Sequence, residues 1–179
     1  MGSALETLCG QAVGAGQLNM IGIYLQRSSI ITLVTALFLL PAYILTSPLL
    51  KLLHLEKHIA EVARKYAIWS IPQLFAYALN FPMHKFLQAQ SKVWVMTIIS
   101  MVVVGLHVFL NWLLVIWIDH GLLRAAIAGN ISWWILVLSH LVYVVSGSFP
   151  EAWFGPSLSA FSSLCGFMKI SLASAVMLW

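Results

Sequence analysis

Charge is scarce in this chain. Only 8% of its residues are charged, with five acidic side chains against nine lysines and arginines. About a quarter of the residues in a soluble domain are charged. No paired carboxylates stand ready for acid–base chemistry. The basic residues are scattered between apolar runs, which excludes a nucleic-acid-binding stripe. Cysteine is also rare. Cys9 and Cys165 are far apart and imply no disulfide framework, zinc site or redox compartment. There is no Gly-rich phosphate loop and no Ser/His/Asp arrangement, so no metal or cofactor is expected and an enzyme reading has no positive support. An intramembrane enzyme built on His107 or His140 would lack an acidic partner and a metal-spaced neighbour. His54 and His58 have the i, i+4 spacing of a metal pair, but a solvated turn explains them better.

What the chain has instead is apolar length. It is 61% hydrophobic, with a mean hydropathy of +0.96. Four runs, 28–50, 66–83, 93–118 and 125–150, carry almost no charge. Each is about the 20 residues an α-helix needs to cross the hydrocarbon core of a bilayer. The chain therefore reads as an all-α integral membrane protein, with the lipid bilayer as its first partner. Full spans are expected at about 23–53, 63–88, 93–118 and 122–145. Pro41 should kink the first, and Ser47-Pro48 should weaken its far end. Pro72 and Pro82 lie inside the second. Asp119-His120-Gly121 reads as a tight turn.

Partial helices are expected at both ends. Residues 3–15 form one, closed by Gly14-Ala15-Gly16, and 158–179 begin another. Gly10 and Gly14 make a GxxxG pair that lets another helix approach. The opening has no basic region and is interrupted by Glu6, so it does not read as a signal peptide. The connection 146–157 is broken by Pro150 and Pro156, and its Trp153 and Phe154 suit the headgroup interface. Orientation stays open. One side would carry Arg27, Lys85, Lys92 and Lys169, the other Lys51, Lys57, Arg64, Lys65 and Arg124.

Polar residues inside spans usually face a bundle interior or a water-filled cavity. Gln73, Tyr77, Asn80 and His84 recur at i, i+4, i+7 and i+11, which is one helical face. Ser100, His107 and Asn111 do the same on the next span. Asn130, Ser132, Ser139 and His140 on the fourth are less aligned. Two such stripes on neighbouring helices point either to a shared hydrophilic cleft or to hydrogen-bonding glue between helices, worth about 0.6–2 kcal/mol per contact. Asn130-Ile131-Ser132 is a sequon by chance, since it falls within a span. No acidic residue lies deep in a full span.

Certain strings carry a resemblance. Ser3-Ala4-Leu5-Glu6-Thr7-Leu8-Cys9-Gly10-Gln11-Ala12, followed by Gly14-Ala15-Gly16, resembles the second-helix signature of the multidrug and toxic compound extrusion (MATE) transporters, in their flowering-plant, DETOXIFICATION-type branch. Gly22-Ile23-Tyr24-Leu25-Gln26-Arg27 resembles the start of that family's third helix. Ile71-Pro72-Gln73-Leu74-Phe75-Ala76 and Lys85-Phe86-Leu87-Gln88-Ala89-Gln90 resemble its fourth helix, and Asn130-Ile131-Ser132-Trp133 its sixth. Trp153, Ser159-Ala160-Phe161 and the string from Phe167 to Met177 resemble the entry to its seventh.

The resemblance implies a parent of twelve helices in two lobes around a central cleft. It also implies export of organic cations, flavonoids or xenobiotics by proton antiport, at a vacuolar or plasma membrane. On this basis 1–149 hold part of the first lobe, 150–157 the inter-lobe connection, and 158–179 the start of helix seven. Four full transmembrane helices and a partial one at each end are expected. The motif residues are Glu6, Gly10, Gln11, Gly14, Pro72, Lys85, Gln88 and Gln90.

Two departures stand out. The family usually continues after Met177-Leu178 with Cys-Leu-Glu, an acidic position implicated in proton coupling, where this chain has Trp179. Arg124 stands where the family prefers a small residue. The expected partners are small organic substrates and a full-length relative. The alternative function is a non-transporting membrane interaction protein derived from a truncated transporter.

Overall fold

Local backbone chemistry fixes where the helices stop. The computed structural model describes residues 2–117 and 122–150 and, beyond them, 152, 153, 155, 157, 161, 166, 168 and 169. Among the described residues the order is α1 Gly2–Gly14, α2 Leu18–Ile44, α3 Thr46–Leu52, α4 Lys57–Trp69, α5 Ile71–Ala89, α6 Val93–Asn111, a π-helical segment Trp112–Trp117, and α7 Leu122–Val145. The Asp119-His120-Gly121 turn and the string from Phe167 to Met177, apart from Met168 and Lys169, lie outside the described residues.

Three helices end in one way. After α1, Gly16 takes a left-handed φ of 69°, its N–H bonds to Val13 O, and the N–H of Gln17 reaches back to Ala12 O. These two bonds define a Schellman motif, which satisfies carbonyls that the last helical turn leaves unpaired. His54 (φ 61°) closes α3 through His54 N–H to Lys51 O and Leu55 N–H to Leu50 O. Ser91 (φ 57°) closes α5 through Ser91 N–H to Gln88 O and Lys92 N–H to Leu87 O. His54 is thus a helix terminator with strained geometry, which accounts for its place in the turn.

The expected first span is interrupted, but not at its proline. α2 runs through Pro41, and the break falls at Leu45, whose N–H still bonds to Pro41 O at 2.8 Å. Pro41 lacks the N–H that would bond to the preceding turn, and α2 tolerates that single missing bond. The second expected span is two helices rather than one. Ser70 separates α4 from α5, and Pro72 sits in the first turn of α5, where its missing N–H has no helical partner to lose. α4 carries Lys57, Glu61, Arg64 and Lys65 and buries only Ala60.

By length and apolarity, three described helices can cross a membrane: Leu18–Ile44, Val93–Val115 and Leu122–Val145. α5 is not among them, because Gln73, Asn80, His84 and Lys85 lower its apolarity. The expectation of four full spans therefore reduces to three helices with that property and a more polar fourth.

That polar helix is the central one. α5 packs against α1, α2 and α7 around a core of Leu5, Cys9, Ile21, Leu25, Met83, Phe86, Leu87 and Val137. α6 stands at the edge, packed on α7, with Trp94, Met101, Val102 and Val108 exposed. In water such a face would aggregate; in lipid it loses nothing, because acyl chains are as apolar as these side chains. Gly10 and Gly14 have open space where a Cβ would stand, so the GxxxG pair receives no helix among the described residues. The tight glycine is Gly22, whose Cα lies against the carbonyl oxygen of Ala152. Trp153, expected at the headgroup level, packs against the core.

Candidate functional site

The polar stripes of α5 and α6 do not face one another. α7 lies between them, and each stripe finds its partners there. From α6, His107 Nδ1 lies 3.0 Å from Ser132 Oγ of α7. Asn111 Nδ2 bonds to His107 O at 2.9 Å and lies 3.1 Å from His107 Nε2. Ser100 and His107, with Ser132 and Trp133, line a small cavity of about 170 Å³ between the two helices.

On the other side of α7, His140 is fully buried and its Nδ1–H donates to Asn80 Oδ1 at 2.9 Å. His84 stands edge-on to His140, with ring centroids 4.9 Å apart. The Nε2 atoms of both histidines are buried and have no hydrogen-bond partner among the described residues. Asn130 Nδ2 donates to Trp69 O at 2.6 Å, tying α7 to the end of α4. In this arrangement Asn80, His107 and Asn130 join elements to one another, while Asn111 braces His107 within α6.

Gln73 and Tyr77 behave differently. They line an open cleft of about 360 Å³ with Tyr43 of α2, Tyr66 and Ala67 of α4, Ser70 and Leu74 at the start of α5, and Trp133 of α7. The break at Ser70 falls in its wall, between Tyr66 and Ala67 at the end of α4 and Gln73 and Leu74 at the start of α5. Tyr77 meets Trp133 edge-to-face at 5.5 Å. Gln73 occupies a notch made by Gly129, where an added Cβ would lie 3.1 Å from Gln73 Oε1. None of the lining residues is charged. The cleft offers aromatic rings, hydroxyls and an amide to a flat molecule, and its volume lies within the range of small-molecule sites.

Sequence periodicity found Gln73 and Tyr77 but missed Tyr43, Tyr66, Ser70 and Trp133. Three of these lie near the helix breaks at Leu45 and Ser70, outside any stripe. Trp133 had a faint signal, standing next to Ser132 on the fourth span.

The motif residues gather elsewhere. Glu6 Oε2 of α1 accepts a hydrogen bond from Lys85 Nζ of α5 at 2.7 Å, and Lys85 also donates to Gln88 Oε1 at 3.2 Å. Gln11 is exposed, Pro72 opens α5, and Gln90 Nε2 is buried with no partner among the described residues. Arg124 is half-buried near the start of α7.

A family model described as MatE matches residues 1–113. Protein DETOXIFICATION 33 of Arabidopsis thaliana is 54% identical over 178 residues, covering 99% of this chain and 37% of that protein. Protein DETOXIFICATION 32 of the same plant is 52% identical over 177 residues, covering 99% of this chain and 34% of that protein. The chain thus spans about a third of the length of these curated relatives. The crystal structure of the eukaryotic MATE transporter AtDTX14 superposes with a TM-score of 0.91 at 33% identity, over 98% of this chain and 40% of that one. An inward-facing multidrug resistance MATE family transporter of the MOP superfamily superposes with a TM-score of 0.79 at 16% identity, over 96% of this chain and 40% of that one, a likeness of fold alone.

Proposed function

The chain belongs to the MATE transporter family, and on that premise we propose that it forms the cleft-bearing part of a secondary transporter that exports flat organic molecules in exchange for protons. The substrate classes are organic cations, flavonoids and xenobiotics, and the membrane is the vacuolar or plasma membrane. The chain crosses the bilayer several times, with the apolar side of α6 against lipid.

The observation that carries the reading is the uncharged aromatic cleft of Tyr43, Tyr66, Gln73, Tyr77 and Trp133. Aromatic faces attract a delocalised cation through the ring quadrupole, worth about 0.5–2 kcal/mol each. They stack equally well on a neutral flavonoid, while Gln73 and Ser70 supply hydrogen bonds that orient it. This tolerance suits a transporter of many compounds. The acidic side chains among the described residues are Glu6, Glu56 and Glu61, and none lines the cleft. We therefore assign proton exchange to a carboxylate other than these three.

Two measurements test the reading. The purified chain in nanodiscs should bind ethidium saturably, and Trp133→Ala should weaken binding by about fivefold to tenfold, the loss of one aromatic contact. Absence of saturable binding, or binding indifferent to Trp133, overturns the cleft assignment. In liposomes the chain by itself should give no efflux driven by a pH gradient, because alternating access rocks one helical repeat against another. Such efflux from this chain alone would contradict its assignment as one part of a transporter.

A further inference from the structure

The connection that leaves the end of α7 is held to the bundle at successive points. Phe149 is buried, with its ring edge-on to Phe86 at 5.3 Å and to Tyr143 at 5.5 Å. Ala152 is buried, and its carbonyl oxygen rests on Gly22 of α2, where any Cβ would collide with it. One turn along α2, Gln26 grips the backbone twice. Its Nε2 donates to Gly155 O at 2.8 Å, and its Oε1 accepts from Ser157 N–H at 2.9 Å. Gly22 and Gln26 are i and i+4 and therefore share one face of α2.

The chemistry explains why this position takes an amide. An irregular segment has no ladder of its own, so its peptide groups must find partners or remain unpaired. Here they lie beside an apolar cavity of about 400 Å³ lined by Leu25, Met83, Leu141 and Val144, where unpaired groups are costly. A glutamine side chain carries one acceptor and a paired donor in one plane, so it meets two peptide groups two residues apart much as a neighbouring strand does. A carboxylate supplies only the acceptor, and an apolar side chain neither.

We propose that Gln26, seated by the Gly22 notch, is the positioning residue that fixes the connection to α2 at Ala152, Gly155 and Ser157, so that these points move with the first bundle when the two lobes rock. The mechanical consequence rests on the two-lobe reading above; the clasp itself does not, and its test uses neither ligand nor flux.

Amide exchange at Ser157, monitored by NMR on the chain in nanodiscs, reads the clasp. In the unaltered chain Ser157 should be protected. Gln26→Met keeps the length, removes donor and acceptor, and should speed exchange at Ser157 by about tenfold, the range expected for one lost hydrogen bond. Gln26→Glu sets a carboxylate oxygen against the carbonyl oxygen of Gly155, which repels it, and should speed exchange at Ser157 as well. Gly22→Ala should displace the Ala152 carbonyl and speed exchange at Ser157 although Gln26 is intact. The amides of Val137 and Val144 report whether α7 stays folded. Ser157 exchanging like an unstructured amide in the unaltered chain, or at the same rate after Gln26→Met, overturns the proposal. If Gln26→Met fails to fold, Gln26→Glu decides: Ser157 exchanging as in the unaltered chain, with α7 intact, overturns it as well.

Discussion

Replacing Asn80 and His140 by leucine, singly and together, measures whether buried polar groups act as glue between these helices. Asn80 is 6% exposed and His140 0%. The accepting Oδ1 of Asn80 requires the proton on Nδ1 of His140, which leaves Nε2 as a lone pair without a partner. Asn80→Leu is nearly isosteric, and it strands the second ring nitrogen of a fully buried histidine. His140→Leu strands the Asn80 amide instead. In an aqueous protein each single change would destabilise by about 1–3 kcal/mol. In a bilayer the unfolded helices also find partners, so interhelical hydrogen bonds average about 0.6 kcal/mol and reach about 1.7 kcal/mol.

The pair here is short and shielded from water, which places its coupling energy towards the upper half of that range, at about 1–1.7 kcal/mol. The assay is reversible unfolding in mixed micelles with increasing SDS, monitored by helical circular dichroism. The double variant should be more stable than the sum of the singles predicts. Packing changes at either site appear in the singles and largely cancel in the cycle. A coupling energy below about 0.3 kcal/mol, within the scatter of independent sites, refutes the reasoning.

Ser91→Gly should stabilise the chain by about 0.5–1 kcal/mol in the same assay, because Ser91 holds a φ of 57° that glycine adopts without strain; a loss of stability would show that the Ser91 side chain matters more than its backbone. Lys85→Met should destabilise by less than about 1 kcal/mol, and the difference should shrink as salt is added, since the Lys85–Glu6 pair is partly exposed and joins α1 to α5 near the surface. A larger effect that ignores salt would point instead to packing by the lysine stem.

Much of the architecture is legible from local rules. α7 coincides with its expected span, and α1 ends at the Gly14-Ala15-Gly16 break. The departures have physical causes. Pro41 marks a missing hydrogen bond, but α2 continues past it and ends a turn later at Leu45. The second span reads as continuous because Tyr66-Ala67-Ile68-Trp69 is as apolar as Ile71-Pro72-Gln73-Leu74 beyond it; the break at Ser70 comes two residues before Pro72, which has no N–H to carry the ladder across. The cleft escapes the sequence because hydropathy does not register that break. Its walls include Tyr66 and Ser70, whose roles depend on the break.

Taken alone, the sequence determines that this chain inserts in a membrane. Transfer of side chains into hydrocarbon is close to additive along a helix and needs no partner, so charge-free runs of about 20 residues are sufficient grounds. It also supplies periodicity, which puts Gln73, Tyr77, Asn80 and His84 on one face. It does not determine what that face meets. A hydrogen bond is a relation between two helices, set by their rotation and crossing. Only the tertiary structure places α7 between the two stripes, turns Asn80 and His107 into links, leaves Gln73 and Tyr77 facing an open aromatic cleft, and brings Gln26 to a backbone segment about 130 residues away.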